Sequence, residues 1–320
     1  MPTFDLDALF APGTVAIIGA SAVPGKVGYS VLSNMIQAGY AGKIYPVNPK
    51  GGEMLGLPAV ASIADLPDRL DMAVICIPPA HVIGAMEQLA AKNVKSAVVI
   101  TAGFKEVGRE GYYLEQKLVE MAREHGIALL GPNCLGLMST GAKLNASFAA
   151  DQPNPGNIAF FSQSGALCVA ILDWAMGENI GFSKFVSLGN KAVIDESHML
   201  DYLKDDPETN VILGYMEGVE DGPRFMRAAE AVTAVKPVIL IKSGTTAAGA
   251  KAASSHTGAI AGSDQAYQAA FHQAGIIRVR DVSSLFNLAL AFSNQPLPKG
   301  PKLAIVTNSG GPGILAADAA

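Results

Sequence analysis

Short apolar runs alternate with stretches whose apolar residues recur at helical spacing, along the whole chain. Thr14–Ile18, Lys43–Val47, Met72–Ile77, Ser96–Thr101 and Ile127–Leu130 read as buried strands. Between them Val27–Ala38, Ala80–Lys92 and Gly111–His125 read as helices. Strand–helix alternation predicts right-handed crossovers and a parallel sheet, forming a first α/β domain over 1–145. A polar loop rich in turn residues, Asp151–Gly156, marks a boundary, and the pattern restarts. Asn157–Phe161, Gly181–Ser187, Val211–Met216, Pro237–Ile241 and Gly275–Arg278 read as strands. Ala166–Met176, Ser197–Lys204, Pro223–Ala234, Ser263–Gln273 and Val282–Phe292 read as helices. They make a second α/β domain over 151–293, also with a parallel sheet. Residues 294–320 then read as a linker, a strand at Lys302–Val306, a glycine turn at Ser309–Gly313 and the start of a helix. One strand and half a helix cannot bury a face. A third α/β domain continuing past Ala320 is therefore expected.

Composition supports two packed cores. Of 320 residues, half are hydrophobic and 16% charged. The net charge of −5 argues against a general nucleic-acid surface. Cys76, Cys134 and Cys168 are too far apart for a metal knuckle, and three is an odd number; no resident metal and a reducing, cytoplasmic setting are expected. Met1–Leu9 lacks the basic region and apolar run of a signal peptide. The longest apolar stretch, Met72–Met86, is broken by Pro78, Pro79 and His81, so no membrane partner is expected.

Chemistry gathers where strands end. The turn from Gly19 through Ala20, Ser21 and Lys26 to Gly28 follows the first strand and opens the first helix. A glycine turn at a helix amino terminus offers N–H groups and a positive dipole end to phosphate. The bland alternative is a tight turn with no ligand; the position at the first strand's carboxyl end favours a ligand. An NAD site needs a carboxylate at the end of the second strand. Here stand Val47, Asn48, Pro49 and Lys50. Lys50 suits an extra phosphate on the adenosine ribose, as in coenzyme A or NADP. With no hydride-site residues visible, coenzyme A is preferred.

The second domain repeats the design at Ser162-Gln163-Ser164-Gly165. On its own this stretch reads as a helix N-cap, and the repetition suggests a second anion site. Glu217 ends another strand, where it either orients an imidazole or pairs in solvent with a lysine. His256 lies among Ser, Thr, Gly and Ala in Ser254–Ser263, a setting that lets backbone and hydroxyls approach a transferable anion. It has no second ligand at zinc spacing. His81, His125, His198 and His272 read as exposed and idle, although His81, beside Pro78-Pro79, stands near a ligand edge. Cys134, in Gly131-Pro132-Asn133-Cys134-Leu135-Gly136, reads as a buried or pocket-wall thiol and not a nucleophile.

These segments, in this order, resemble the α subunit of succinyl-CoA synthetase. They are more similar still to the NDP-forming acyl-CoA synthetases, the family of ADP-forming acetate–CoA ligase. The resemblance rests on the blocks at 19–28, 46–50, 131–136, 162–165 and 255–262. It implies a Rossmann-like CoA-binding domain followed by a flavodoxin-like, succinyl-CoA-synthetase-type domain. Gly19, Ala20, Ser21, Lys26, Val47, Asn48, Pro49, Lys50, Pro78, Pro79, Ala102 and Gly103 would surround CoA. Ser162, Gln163, Ser164 and Gly165 would bind phosphate. His256 would be the phosphohistidine, steadied by Glu217. Its loop, around 243–262, is expected to move.

The implied reaction interconverts acyl-CoA, phosphate and ADP with carboxylic acid, CoA and ATP, through acyl phosphate and phosphohistidine. The resemblance also implies Mg²⁺ with ADP or ATP on an ATP-grasp module, carried by a β subunit or a fused domain, and an oligomer. The alternatives are a CoA-sensing, non-catalytic region of a protein lysine acetyltransferase, disfavoured by His256 and Glu217, and an NADP-dependent reductase.

Overall fold

A computed structural model of the chain describes residues 4–246, 249, 263–298, 300 and 302–320. His256, and with it most of the 243–262 stretch, lies outside the described residues.

Five strands build the first sheet: β1 (Thr14–Ile18), β2 (Lys43–Val47), β5 (Met72–Ile75), β6 (Ser96–Val99) and β7 (Ala128–Leu130). Their order is β2-β1-β5-β6-β7, and all pairs are parallel. Every residue of β5, β6 and β7 is buried, as expected of strands covered on both faces. The helices are α1 (Asp7–Phe10), α2 (Val27–Gln37), α3 (Val82–Ala91) and α4 (Arg109–Glu124). A two-residue hairpin, β3 (Glu53–Met54) with β4 (Leu57–Pro58), projects after β2.

The second sheet repeats that topology. Its parallel strands are β10 (Asn154–Ser162), β11 (Gly181–Ser187), β12 (Val211–Met216), β13 (Val238–Lys242) and β14 (Ile277–Val279), in the order β14-β13-β12-β10-β11. Its described helices are α5 (Gly165–Gly177), α6 (Glu196–Asp205), α7 (Gly222–Thr233), α8 (Asp264–Gln273) and α9 (Val282–Asn294). In both sheets the chain starts in an inner strand, steps to one side and then crosses to the other. Each sheet therefore has a switch point at the carboxyl end of its first strand, where a crevice opens.

Two expectations need correction. The second sheet is mixed, because β8 (Gly136–Ser139) and β9 (Leu144–Ser147) form a hairpin that adds antiparallel to the outer edge of β11. The hairpin lies within the sequence span assigned to the first domain, yet its hydrogen bonds belong to the second sheet and cover an otherwise open edge. Residues 302–306 are exposed and pair with no strand among the described residues; the helix after them, α10 (Gly310–Ala319), does form.

One continuous core joins the domains. Leu9, Phe10, Leu129 and Leu137 pack in the same buried cluster as Leu200, Leu203 and Phe225. Phe10 stacks on Tyr202 of α6 at 4.6 Å between ring centroids, so α1 bridges the two halves. Aromatic pairs of this kind contribute about 0.5–1.5 kcal/mol beyond simple burial. Among the described residues no helix is long and apolar enough to cross a membrane.

Candidate functional site

The first crevice is shaped mainly by backbone. Gly19 has φ +91°, and its N–H donates to the Val47 carbonyl at 3.0 Å. A Cβ on Gly28 would fall 2.0 Å from the Gly19 carbonyl oxygen, so only glycine lets α2 start this close to β1. Asn48 Nδ2 donates to the Ala20 carbonyl at 2.8 Å, and its Oδ1 accepts from the Lys50 N–H at 3.0 Å. Ser21 Oγ accepts from the Val23 N–H at 3.0 Å. Asn48 and Ser21 therefore hold the loops, Ala20 and Val47 are buried walls, and Lys26, Pro49 and Lys50 stand exposed at the rim. No side chain caps the start of α2.

Beside this crevice the ends of β5 and β6 lock together. Thr101 Oγ1 donates to the Ile77 carbonyl at 2.7 Å. Gly103, at φ +110°, lies so near Pro79 that a Cβ would meet the ring at 2.9 Å. Pro78 and Ala102 are exposed tips of this pair.

The second crevice is shaped by side chains. Ser164 caps α5, its Oγ accepting from the Leu167 N–H at 3.3 Å. Ser162, fully buried, donates to the Ser164 carbonyl and accepts from the Ser164 N–H, both at 3.0 Å. The Gln163 side chain spends its polar atoms inside the protein. Its Oε1 accepts from the N–H groups of Glu217 (2.7 Å) and Gly218 (3.1 Å). Its Nε2 donates to the Gly218 carbonyl (2.9 Å) and to Glu196 Oε2 (3.1 Å). An amide has two donors and room for two acceptor bonds, so this one is fully used inside the protein.

A cavity of about 1200 Å³ between the domains joins the second crevice to the start of α2 and the ends of β5 and β6 in the first domain. The first domain contributes Val27 at the start of α2, Cys76–Pro78, Ile100–Ala102 and Asn133–Leu135. The second contributes Gln163–Ala166 at the start of α5, Gly189–Lys191, Glu217–Glu220 and Tyr267. Two helix amino termini therefore open on the same space. Of the site residues singled out in the sequence, Pro78, Ala102, Gln163, Ser164, Gly165 and Glu217 line this cavity, as does Cys134. Gly19, Ala20, Ser21, Lys26, Val47, Asn48, Pro49 and Lys50 form the neighbouring crevice. Pro79, Gly103 and Ser162 are not among its lining residues.

The cavity floor holds a polar network that sequence reasoning missed. Asn190 donates from Nδ2 to Glu106 Oε2 (2.7 Å) and Glu115 Oε2 (2.8 Å). Lys105 donates to the Asn190 carbonyl at 2.7 Å and lies 3.4 Å from Glu115 and 3.8 Å from Glu220. Lys191 bonds both oxygens of Glu196 (3.1 and 3.2 Å) and the Gly218 carbonyl (2.7 Å). Burial opposes ionisation of Glu106, but the bonds from Asn190 and from the Gly103 and Phe104 N–H groups outweigh it and hold its carboxyl below the usual range. Burial pushes the Glu196 carboxyl up, against the pull of Lys191. The signal was present: Gly189-Asn190-Lys191 follows the carboxyl end of β11, as Glu217 follows β12.

Burial pushes the Cys134 thiol up to about 12, so it is a wall and not a nucleophile, as expected. Cys76, with Cys134 as its neighbour, is pushed up to about 12 by the same cause. His198 corrects the view that it is exposed and idle. Its ring lies 2.6 Å from Asp195 Oδ1 and completes a capping box at the start of α6. His81, His125 and His272 are exposed.

The topology and site define a class: a CoA binding domain, by the family model matching residues 13–140, joined to a succinyl-CoA ligase like flavodoxin domain, matching 155–292. The α subunit of acetate–CoA ligase [ADP-forming] I from Pyrococcus furiosus is 50% identical over 319 residues, covering 98% of this chain and 69% of that protein. Acetate–CoA ligase [ADP-forming] I of Archaeoglobus fulgidus is 51% identical over 314 residues, covering 98% of this chain and 45% of that protein. Among solved structures, the dinucleotide forming acetyl-coenzyme A synthetase 1 of Ca. Korarchaeum cryptofilum, in complex with phosphate and ADP, superimposes with a TM-score of 0.93. It is 44% identical and covers 98% of this chain and 68% of that one. The chain belongs to the NDP-forming acyl-CoA synthetase family. It spans from under half to about two thirds of these relatives' own length.

Proposed function

We propose that the chain is the CoA-binding and phosphoryl-carrying region of an ADP-forming acyl-CoA synthetase, working with a nucleotide-binding ATP-grasp part on a second subunit or fused segment. The observation that carries this reading is the shared cavity, where the switch points of both sheets and the amino termini of α2 and α5 converge. CoA enters from the first domain, over the Gly19–Ser21 turn, with Lys50 at its ribose phosphate and Pro78, Pro79, Ala102 and Gly103 beside the pantetheine. Phosphate sits at the Ser162–Gly165 turn, where the start of α5 and its helix dipole offset its charge. There it attacks the thioester carbonyl; an acyl phosphate forms and CoA leaves as thiol.

The neutral imidazole of His256 then takes the phosphoryl group and releases the carboxylate, acetate being the acid that the relatives' names suggest. Glu217 holds the other ring nitrogen and steadies the charge that develops. The phosphohistidine passes the group to ADP; Mg²⁺ accompanies the nucleotide and offsets the charge on its phosphates. The proposal includes an oligomer and a cytoplasmic setting, in line with three free cysteines. The alternative of a CoA-sensing, non-catalytic region is set aside, since the relatives named above are ligases.

The test combines the chain with an ATP-grasp part of the family, acetyl-CoA, phosphate, ADP and Mg²⁺. ATP and acetate should form in equal amounts, and omission of phosphate should abolish both. Thioester hydrolysis without ATP would refute the reading.

A further inference from the structure

Gln163 sits one residue before the Ser164 cap of α5, and its side chain turns away from the helix toward β12. Three atoms of the 217–218 segment are gripped at once. The N–H groups of Glu217 and Gly218 donate to Gln163 Oε1, and the Gly218 carbonyl accepts from Gln163 Nε2 at 2.9 Å and from Lys191 Nζ at 2.7 Å. Behind them Glu196, 1% exposed, accepts from both Gln163 and Lys191 and so fixes the two donors against each other. We propose that Gln163, Lys191 and Glu196 form a positioning clamp that sets the distance between the anion cradle at the start of α5 and the Glu217 carboxylate. The inference rests on the functional reading above and adds positioning residues that it does not use.

The chemistry explains why an amide occupies position 163. A carboxylate there keeps the two acceptor bonds but loses both donors, and it meets Glu196 as a like charge in a buried site. Displacing Glu217 by about 1 Å leaves the CoA crevice intact, since that crevice is held by Gly19, Gly28 and Asn48 in the other domain. Misplacement of about 1 Å in a reacting constellation costs on the order of 100-fold in rate. The clamp therefore acts on phosphoryl transfer and not on CoA binding.

The test uses the assembled enzyme, chain plus nucleotide-binding part, and compares Gln163→Glu, Gln163→Met and the swap Gln163→Glu with Glu196→Gln. Rapid-quench measurement of phosphoenzyme formation from acetyl phosphate should fall about 100-fold in both single variants, with KM for CoA within about twofold of wild type. The swap returns one amide and one carboxylate to the pair and should recover the rate to within about tenfold of wild type. Wild-type rates in both single variants, an equal loss in rate and CoA binding, or a swap no better than Gln163→Glu would overturn the clamp. A wild-type enzyme that forms no phosphoenzyme would overturn the functional reading and the clamp with it.

Discussion

The glycine turn after β1 and the Ser-Gln-Ser-Gly turn after β10 occupy the same place in two copies of one topology, yet they are held differently. The first is fitted by backbone proximity: Gly28 admits the Gly19 carbonyl, and the charged residues stand outside at the rim. The second is braced by side chains, with Ser162 and Ser164 fixing the turn and Gln163 tied to the next strand end. A backbone turn suits a long cofactor that lies along it and makes many shallow contacts. A braced turn suits a small anion whose position relative to a second group sets the rate. The lesson is that two phosphate-type motifs of similar appearance can differ in which substitutions they tolerate.

The largest expected effect tests the second turn. Glu217→Gln should slow phosphoenzyme formation roughly 1000-fold while leaving CoA affinity within about twofold. Equal losses in both, measured by rapid quench and calorimetry, would remove Glu217 from its role. A pair of glycine variants comes next. Gly28→Ala places a Cβ 2.0 Å from a backbone oxygen and should cost about 3 kcal/mol in denaturant unfolding, with loss of CoA binding. Gly165→Ala meets Ser187 Oγ at 3.7 Å, an ordinary contact, and should cost less than about 1 kcal/mol. Equal costs would erase the distinction drawn above.

Much of the architecture was legible because it is written in local pattern. Met72–Ile75 is a continuous apolar run, Ser96–Val99 is apolar after its first residue, and the strand expected at Asn157–Phe161 lies inside the observed Asn154–Ser162. The β8–β9 hairpin was not legible. Gly136–Ser139 and Leu144–Ser147 are four residues each, without a long apolar run, and their partner β11 lies beyond the next domain boundary. The site divides in the same way. The turns at 19–28 and 162–165 announce themselves through glycine, serine and position. Asn190, in a glycine turn after β11, and Glu196, at the start of α6, announce themselves less, because each gains its meaning from what the fold places opposite it, here Glu106, Glu115 and Gln163. The bracing role of the Gln163 side chain was hidden for the same reason: the neighbours in space that occupy its polar atoms are distant in sequence.

A smaller effect probes the first turn. Lys50→Ala should weaken CoA up to about fivefold and leave dephospho-CoA unchanged, because the lysine stands exposed at the rim and, in the proposed pose, would meet only the ribose phosphate. Equal weakening would place the lysine elsewhere on the cofactor. The smallest effect does not separate the turns. Cys76 and Cys134 on the first-domain side and Cys168 on the buried face of α5 are all pushed up to about 12 by burial. A thiol whose folded value lies above its unfolded value contributes stability that is complete below the unfolded value and fades as pH rises toward the folded one. The unfolding midpoint should therefore decline from about pH 9 upward, and iodoacetamide should leave Cys134 unmodified in the native protein at pH 8. Rapid alkylation of Cys134 under those conditions would show an open, ionisable thiol.

The shared cavity as the seat of phosphoryl transfer is tested most directly by mapping the phosphate itself. The assembled enzyme, incubated with acetyl-CoA, radiolabelled phosphate and Mg²⁺ without ADP, should carry an acid-labile label on His256, discharged when ADP is added. A folded enzyme that binds CoA yet takes no label, or takes it on another residue, would contradict the account.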